Sequence, residues 1–154
     1  MQIHSLDLVD DYSLIGIHSS EEDYKLAYLL NFHLNTKFTK SDVDLDFKNI
    51  NASFPIFEFI DKKNQLANYL ISNKCIGNTS ANTGINLFSK NEFFSSTSYL
   101  ISEKKNIDYF IKIEGDVSSV ELFKTIEKLN KINQIVASYK INPNKLNSKD
   151  FLIF

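Results

Sequence analysis

The stretch ISEKKNIDY, residues 101–109, contains the pair of side chains whose type and spacing come closest to a chemical site. If it folds as a hairpin with a two-residue loop, Glu103 stands opposite Asp108. Two such carboxylates repel unless a proton, a lysine or a metal ion lies between them, which suits acid/base chemistry or ion binding. With a three-residue loop, Ser102 faces Asp108 instead and donates a plain hydrogen bond. The interpretation in which these residues only shape a hairpin is favoured, and we predict no catalytic residue.

The other residues with catalytic or metal-binding chemistry do not form a pattern. The three histidines lack the spacing of zinc ligands, and the single cysteine has no CxxC partner or nearby base. The acidic residues near the start lack the calcium-loop pattern of an EF-hand. We therefore predict no metal and no cofactor. The residues concerned are His4, His18 and His33, Cys75, and Asp7, Asp10 and Asp11.

The composition predicts one folded domain. The chain has 154 residues, 43% of them apolar, with 13 Phe and 7 Tyr. This length is typical of a single domain, and so many large apolar side chains require a buried core. We find no linker or internal repeat, and we predict a single domain over residues 1–154.

The charged residues argue against nucleic acid as a partner. All 17 residues in the combined lysine and arginine count are lysines, and the net charge is -2. Arginine supplies the planar fork that holds phosphates and reads guanine, so its absence argues against phosphate-clamping enzymes and sequence-reading proteins. An AT-rich coding sequence produces the same bias, which reduces the weight of this argument. The lysines are spread along the chain, so no basic patch is predicted.

Three features missing from the sequence predict the cellular compartment. The lone Cys75 cannot form an internal disulfide, and the first residues, MQIHSLDLVDD, have neither a basic region nor an apolar region of a signal peptide. Apolar runs are far shorter than the ~20 residues of a membrane-spanning helix. We expect a cytoplasmic protein without a membrane span.

The first elements are predicted to be a strand and a broadly apolar helix. The strand covers Tyr12–Ser19, and the following SSEED suits the positively polarised start of a helix over Tyr24–Leu34. The apolar positions of this helix occupy more than one stripe, so it needs cover on two sides. The cover is either the sheet plus a loop or the sheet plus a partner. Tyr24, Tyr28 and Phe32 form the possible interaction surface.

The remaining pattern predicts further antiparallel strands and one well-capped helix. Ser118 and Glu121 stand at capping-box spacing at the start of that helix. Together the elements predict an α+β two-layer sandwich, mainly an antiparallel sheet with two helices, as a ferredoxin-like variant. The segments are a hairpin over 54–61 and 65–74, a mobile loop over 75–98 with one short ordered piece, strands over 99–102 and 107–115, a helix over 116–132 and a strand over 134–141.

The strand IDYFIKIEG, residues 107–115, is predicted to alternate between a buried and a polar face. Ile107, Tyr109, Ile111 and Ile113 are expected on the buried face, while Asp108, Lys112 and Glu114 are expected on the other. Phe110 interrupts the polar face. Tyr109 and Phe110 are interpreted as core residues; the alternative is an exposed stacking surface of the kind found in RNA-binding sheets.

The motif, together with DDYSLIGIHSSEEDYKLAYLLN (residues 10–31) and the closing FLIF (151–154), resembles the IPExxxVDY family of bacterial proteins, found mainly in Bacteroidetes. The resemblance spans nearly the full chain. It implies a soluble cytoplasmic protein and carries no assigned activity. Ile101, Glu103, Asp108 and Tyr109 match the family pattern, Ile107 replaces its valine, and Ser102 stands where the family has proline.

The leading functional hypothesis is a non-catalytic interaction module that binds a protein partner or self-associates. It would use either a sheet edge or the broad apolar helix near Tyr28. One alternative is a small-molecule-sensing domain of the ACT kind, and a second is an RNA-associated protein. An enzyme would have to use Glu103 and Asp108.

Overall fold

The computed structural model of the protein describes residues 12–47, 52–80 and 93–154. Three short 3-10 turns, Ser102–Lys104, Pro143–Lys145 and Lys149–Leu152, accompany its helices and strands. The elements are β1 (Tyr12–His18), α1 (Asp23–Leu34), β2 (Thr39–Lys40), β3 (Leu45–Phe47), β4 (Ala52–Phe54), β5 (Ile56–Asp61), β6 (Leu66–Ser72), β7 (Lys74–Ser80), β8 (Phe93–Tyr99), β9 (Tyr109–Glu114), α2 (Ser119–Asn130) and β10 (Ala137–Ile141).

The central element is a six-stranded antiparallel sheet in the order β10-β1-β9-β6-β5-β2. Ile15 of β1 lies opposite Ile111 of β9 on one side and Lys140 of β10 on the other. Four adjacent strands, β10, β1, β9 and β6, follow the 4-1-3-2 order of a ferredoxin-like unit, and the predicted hairpin adds β5 beside β6. The predicted α+β sandwich is confirmed.

Both helices pack on one face of this sheet, as their sequences require. α1 turns four apolar residues inward and ends at Asn35, whose φ of 59° gives the left-handed conformation of a helix C-cap. At the start of α2, the Ser118 hydroxyl accepts a hydrogen bond from the Glu121 amide at 3.1 Å, which confirms Ser118 as the N-cap, and it donates to the Glu121 carboxylate at 3.1 Å. The buried helix residues are Leu26, Ala27, Leu29 and Leu30 of α1 and Leu122 and Leu129 of α2.

The second face of the sheet is also covered, so the sandwich carries a partial third layer. Phe110 is fully buried there, and Ile107 packs in the same cluster rather than on the helix face, so its predicted face is wrong. The reason is that β9 begins only at Tyr109, and Ile107 lies in the segment before it. The cover is made by residues of β3 and β4, the segment before β9 and the closing turns, including Phe54, Leu100, Ile101, Leu146 and Leu152.

Lys112 lies on the face opposite Ile111 and Ile113, as predicted, but this face is covered by aromatic rings and is not the polar surface that was expected. Its side chain lies among aromatic rings and is only 3% exposed, and its ammonium is 2.8 Å from the Glu114 carboxylate. It is also 4.0 Å from the centre of the Phe154 ring and 5.0 Å from that of Tyr12. The ion pair and the ring faces replace the water that a buried lysine loses.

The predicted mobile loop over 75–98 is wrong at both of its ends. Residues 74–80 and 93–99 pair as the antiparallel strands β7 and β8, with Lys74 opposite Tyr99. Serine, threonine and asparagine dominate these strands, so the apolar alternation that marks a strand is missing from the sequence. The rest of the predicted loop, 81–92, lies outside the described residues, as do His4, Asp7, Asp10 and Asp11.

The predicted hairpin around the motif does not form. Tyr99 ends β8, which pairs with β7, and a 3-10 turn over Ser102–Lys104 follows. β9 pairs instead with β1 and β6. Neither helix in the described part of the chain has the length and apolar character to cross a membrane.

Candidate functional site

The motif segment, defined as residues 101–109, is a folded turn organised by the fully buried Asn73, which lies between β6 and β7. The Asn73 side-chain oxygen accepts a hydrogen bond from the Ile101 amide at 2.7 Å. Its side-chain nitrogen donates to the carbonyls of Lys104 and Ile107, both at 2.9 Å. One amide side chain therefore provides the hydrogen bonds that a partner strand would otherwise provide.

The Asn73 backbone extends this arrangement in both directions. Its amide donates to the Asp108 carbonyl, and its carbonyl accepts from the Leu100 amide, each at 2.9 Å. Ile101 and Ile107 are 0% and 1% exposed between these anchors. Sequence reasoning missed Asn73 because its partners lie about 30 residues away along the chain. The pattern placed Asn73 inside the predicted strand over 65–74 instead.

Glu103 ties the motif segment to the C-terminal part of the chain. Its carboxylate accepts hydrogen bonds from the Ser148 amide at 2.9 Å and the Ser148 hydroxyl at 2.7 Å. Partial burial opposes ionisation of Glu103, but these hydrogen bonds outweigh it and hold the pKa of this carboxyl below its usual value. Ser102 is exposed at the start of the 3-10 turn, where a proline is also tolerated because no amide donor is needed.

Asp108 and Tyr109 tie the motif segment to the connection between β1 and α1. The Asp108 carboxylate accepts a hydrogen bond from the Ser19 amide at 2.8 Å, and the Tyr109 hydroxyl donates to the Glu21 carbonyl. Burial, reinforced by the negative charges of Asp23 and Asp108, raises the pKa of the Tyr109 hydroxyl. The tyrosine therefore acts as a neutral donor at this position.

The two carboxylates of the motif do not form a catalytic pair. Glu103 binds Ser148, whereas Asp108 binds Ser19 on the other side of the segment. Tyr109 and Phe110 are 7% and 0% exposed, as the core interpretation requires. Within residues 12–47, 52–80 and 93–154, no three potential ligands of the His, Cys, Asp or Glu type cluster as a metal site would require. The segment is a structural clamp.

The most exposed aromatic feature among the described residues is the outer face of α1. Tyr24, Tyr28 and Phe32 are 61%, 65% and 72% exposed and lie four residues apart, so they form one line along the helix. The rings of Tyr28 and Phe32 stack with their centres 6.5 Å apart. We call these three residues the aromatic stripe. It lies opposite the helix face that packs on the sheet.

Charges of opposite sign flank the aromatic stripe. Glu21, Glu22 and Asp23 lie at the N-terminal end of α1, and Lys25 pairs with Glu21 at 3.5 Å. The other end carries His33 and then Lys37, both exposed. A surface that meets the stripe along its length therefore encounters an acidic end and a basic end.

The β10 edge of the sheet is less available than the helix. Near the start of this strand, the Ser138 amide donates to the Asn130 side-chain oxygen at 2.8 Å. The Asn130 side-chain nitrogen donates back to the Ser138 carbonyl at 3.3 Å. An occupied backbone position weakens pairing with an added strand. Of the two surfaces considered, the structure favours the helix.

Comparisons of the chain with protein families, with curated proteins and with solved structures found no match. The resemblance of the motif segment to the IPExxxVDY family therefore stays a prediction.

Proposed function

We propose that the protein is a non-catalytic cytoplasmic interaction module that self-associates through the aromatic stripe. The observation that supports this most directly is the exposure of Tyr24, Tyr28 and Phe32, each above 60%, on a single helix face. Contiguous exposed apolar surface on a folded domain marks an interaction site, and aromatic residues supply much of the energy of such contacts.

A second copy of the chain fits the stripe because the stripe is symmetric about its centre. A two-fold axis through Tyr28 places Tyr24 of each copy beside Phe32 of the other. A two-fold interface requires this self-complementarity, since the same patch is used on both sides. The result is a pair of antiparallel α1 helices.

The flanking charges favour the same orientation. In an antiparallel pair, the acidic residues Glu22 and Asp23 of one copy approach the end of the stripe that carries Lys37 of the other. Complementary charge at the rim of an interface improves orientation and specificity more than affinity. A parallel pair would place acid against acid, which is unfavourable.

The size of the stripe predicts a weak dimer. An aromatic side chain can bury ~150–250 Å². At the observed exposures, the three rings therefore contribute roughly 300–500 Å² per copy. A standard interface buries about 800 Å² per partner. We expect a dissociation constant in the micromolar range and an assembly that depends on protein concentration.

Phe32→Glu is expected to weaken the dimer about 30-fold, because it removes an exposed ring from the contact and adds a negative charge beside the acidic end of the other copy, at a cost of about 2 kcal/mol. Sedimentation equilibrium of the full chain measures this change. The matched control is Phe123→Glu. Phe123 is 61% exposed on α2 and lies on the flank opposite Glu121 and Thr125. The control substitution should leave the dissociation constant of the dimer unchanged.

A wild-type chain that stays monomeric at several hundred micromolar would contradict self-association, as would equal effects of the two substitutions. If the wild type is monomeric and Phe32→Glu instead abolishes capture of one defined cellular protein, the stripe serves a different partner.

The proposal also assigns the chain to the IPExxxVDY family, on the resemblance of residues 101–109. It gives those residues a clamp role. Ile101 and Ile107 are buried, while Glu103, Asp108 and Tyr109 hold neighbouring segments through hydrogen bonds. This support is structural and implies no activity.

A further inference from the structure

A cavity of about 200 Å³ lies between the helix layer and the outer half of the sheet. Strands β5, β6 and β9 form its floor, and α2 and the C-terminal end of α1 form its walls. Its apolar lining includes Leu34, Phe38, Phe59, Leu66, Ile111 and Ile113. None of the three stripe residues lines the cavity, so a ligand held here leaves the proposed self-association surface free.

The apolar part of the cavity has room for one compact carbon body. A dry cavity of about 150 Å³ lined by apolar side chains accepts benzene. The present cavity therefore accommodates a six-membered ring with a short alkyl chain. The floor residues Ile111 and Ile113 are buried in a central strand of the sheet, so the ring would rest on the packed core.

The charged side chains at the mouth of the cavity carry a net negative charge. They are Asp61, Glu121 and Lys128, so two carboxylates stand against one ammonium. None of the three forms an ion pair with another residue in the described part of the chain. The mouth therefore lacks one positive charge, and its field attracts a cation and repels an anion.

Both carboxylates keep acceptor positions for a ligand. The Asp61 carboxylate accepts hydrogen bonds from the Asn64 side-chain nitrogen at 2.8 Å and the Asn64 amide at 3.2 Å. These two hydrogen bonds are the main causes that lower the pKa of Asp61, and the charge of Lys63 is the smallest cause. The Glu121 carboxylate accepts from the Ser118 hydroxyl at 3.1 Å. The two oxygens of a carboxylate offer about four acceptor sites, more than these neighbours occupy.

We propose that this cavity binds a small primary amine with a compact apolar body, of the arylalkylamine class. The ring lies between α2 and the sheet, and the ammonium stays at the mouth beside Asp61 and Glu121. A charge cannot enter the apolar floor without a large desolvation penalty, so the head group remains at the rim. An ammonium has three donors, which suits two carboxylates that can still accept. Lys128 is exposed, and its long side chain can turn its own ammonium into solvent.

Phenethylamine is the probe, and phenethyl alcohol and phenylacetate are ring compounds of similar size that test the charge of the head group. In NMR titrations of isotope-labelled full-length protein, we expect saturable shifts of the Ile111 and Ile113 methyl signals and of the Thr125 amide, with binding in the millimolar range. Affinity should fall about three-fold from the amine to the alcohol and about three-fold again to the carboxylate. Ethylamine, which lacks the ring, should give no saturable shift at these residues.

Charge substitutions at the mouth should move the affinity for phenethylamine in opposite directions. Glu121→Gln should weaken binding about three-fold, because it removes one of the two attracting charges. Glutamine keeps the backbone amide and a side-chain oxygen for Ser118, so the start of α2 is preserved. Lys128→Gln should strengthen binding about two-fold, because it removes the like charge. The matched control is Glu127→Gln, which removes an exposed acid of α2 that does not line the cavity and should leave binding unchanged.

Thr125→Phe, which places a ring at the cavity wall, should abolish binding while the protein stays folded by circular dichroism. Absence of saturable shifts in the wild type, shifts confined to other residues, or equal affinities for the three phenyl compounds would overturn the proposal. So would weaker binding of phenethylamine by the Lys128→Gln variant, or equal effects of the two glutamate substitutions.

Discussion

Phe110→Ala is expected to lower the free energy of unfolding by about 4 kcal/mol. Phe110 is 0% exposed near the start of β9 and packs with Ile71, Phe54 and Ile107 on the second face of the sheet. Removing the ring deletes apolar contacts and leaves a cavity that the surrounding strands cannot close. Urea denaturation at a fixed low protein concentration measures the change.

This prediction separates a core residue from an exposed base-stacking residue at the same position. Phe110→Leu should cost much less than the alanine variant, because most of the volume is retained. Phe123→Ala serves as the surface control and should stay within about 0.5 kcal/mol of the wild type. A Phe110→Ala variant that is as stable as wild type and has lost RNA binding would instead support the stacking interpretation.

Asn73→Ala is expected to lower the free energy of unfolding by about 3 kcal/mol, because it leaves the buried Ile101 amide without an acceptor. Two carbonyls, those of Lys104 and Ile107, lose their donor at the same time. Local opening should also expose the backbone at Lys104 and Lys105. Urea denaturation measures the global effect, and limited trypsin digestion with mass spectrometry locates the local one.

Asn106→Ala is the control for this variant. It changes an exposed asparagine of the same segment whose side chain makes no hydrogen bond within the described residues. It should leave both stability and the trypsin sites unchanged. Equal stability of the Asn73 and Asn106 variants would show that Asn73 does not organise the motif segment.

Local signals in the sequence predicted the elements whose structure depends on nearby residues. The capping of α2 depends on Ser118 and Glu121, three residues apart, and it forms as expected. The β5–β6 hairpin is joined by a short polar turn and also forms as expected. The exposure of the aromatic stripe agrees with the excess of apolar positions in α1.

Features that depend on distant partners could not be predicted from one sequence. The motif segment was misread because its register is set by Asn73, whose side chain replaces a neighbouring strand. The partners of Glu103 and Asp108 lie 45 and 89 residues away. Similarly, lysine is usually a surface residue, yet Lys112 is buried. The Glu114 carboxylate and aromatic rings stabilise its charge in place of water. Pattern analysis contains no information about such compensation.

The central claim is that two copies meet through antiparallel α1 helices, and a cross-link at Tyr28 tests it most directly. In a Cys75→Ser background, Tyr28→Cys places the reactive thiols of both copies near the two-fold axis. At concentrations above the dissociation constant, a short bismaleimide should yield a covalent dimer. Phe123→Cys in the same background should stay monomeric. No dimer from the Tyr28→Cys variant, or equal yields from both variants, would contradict the account.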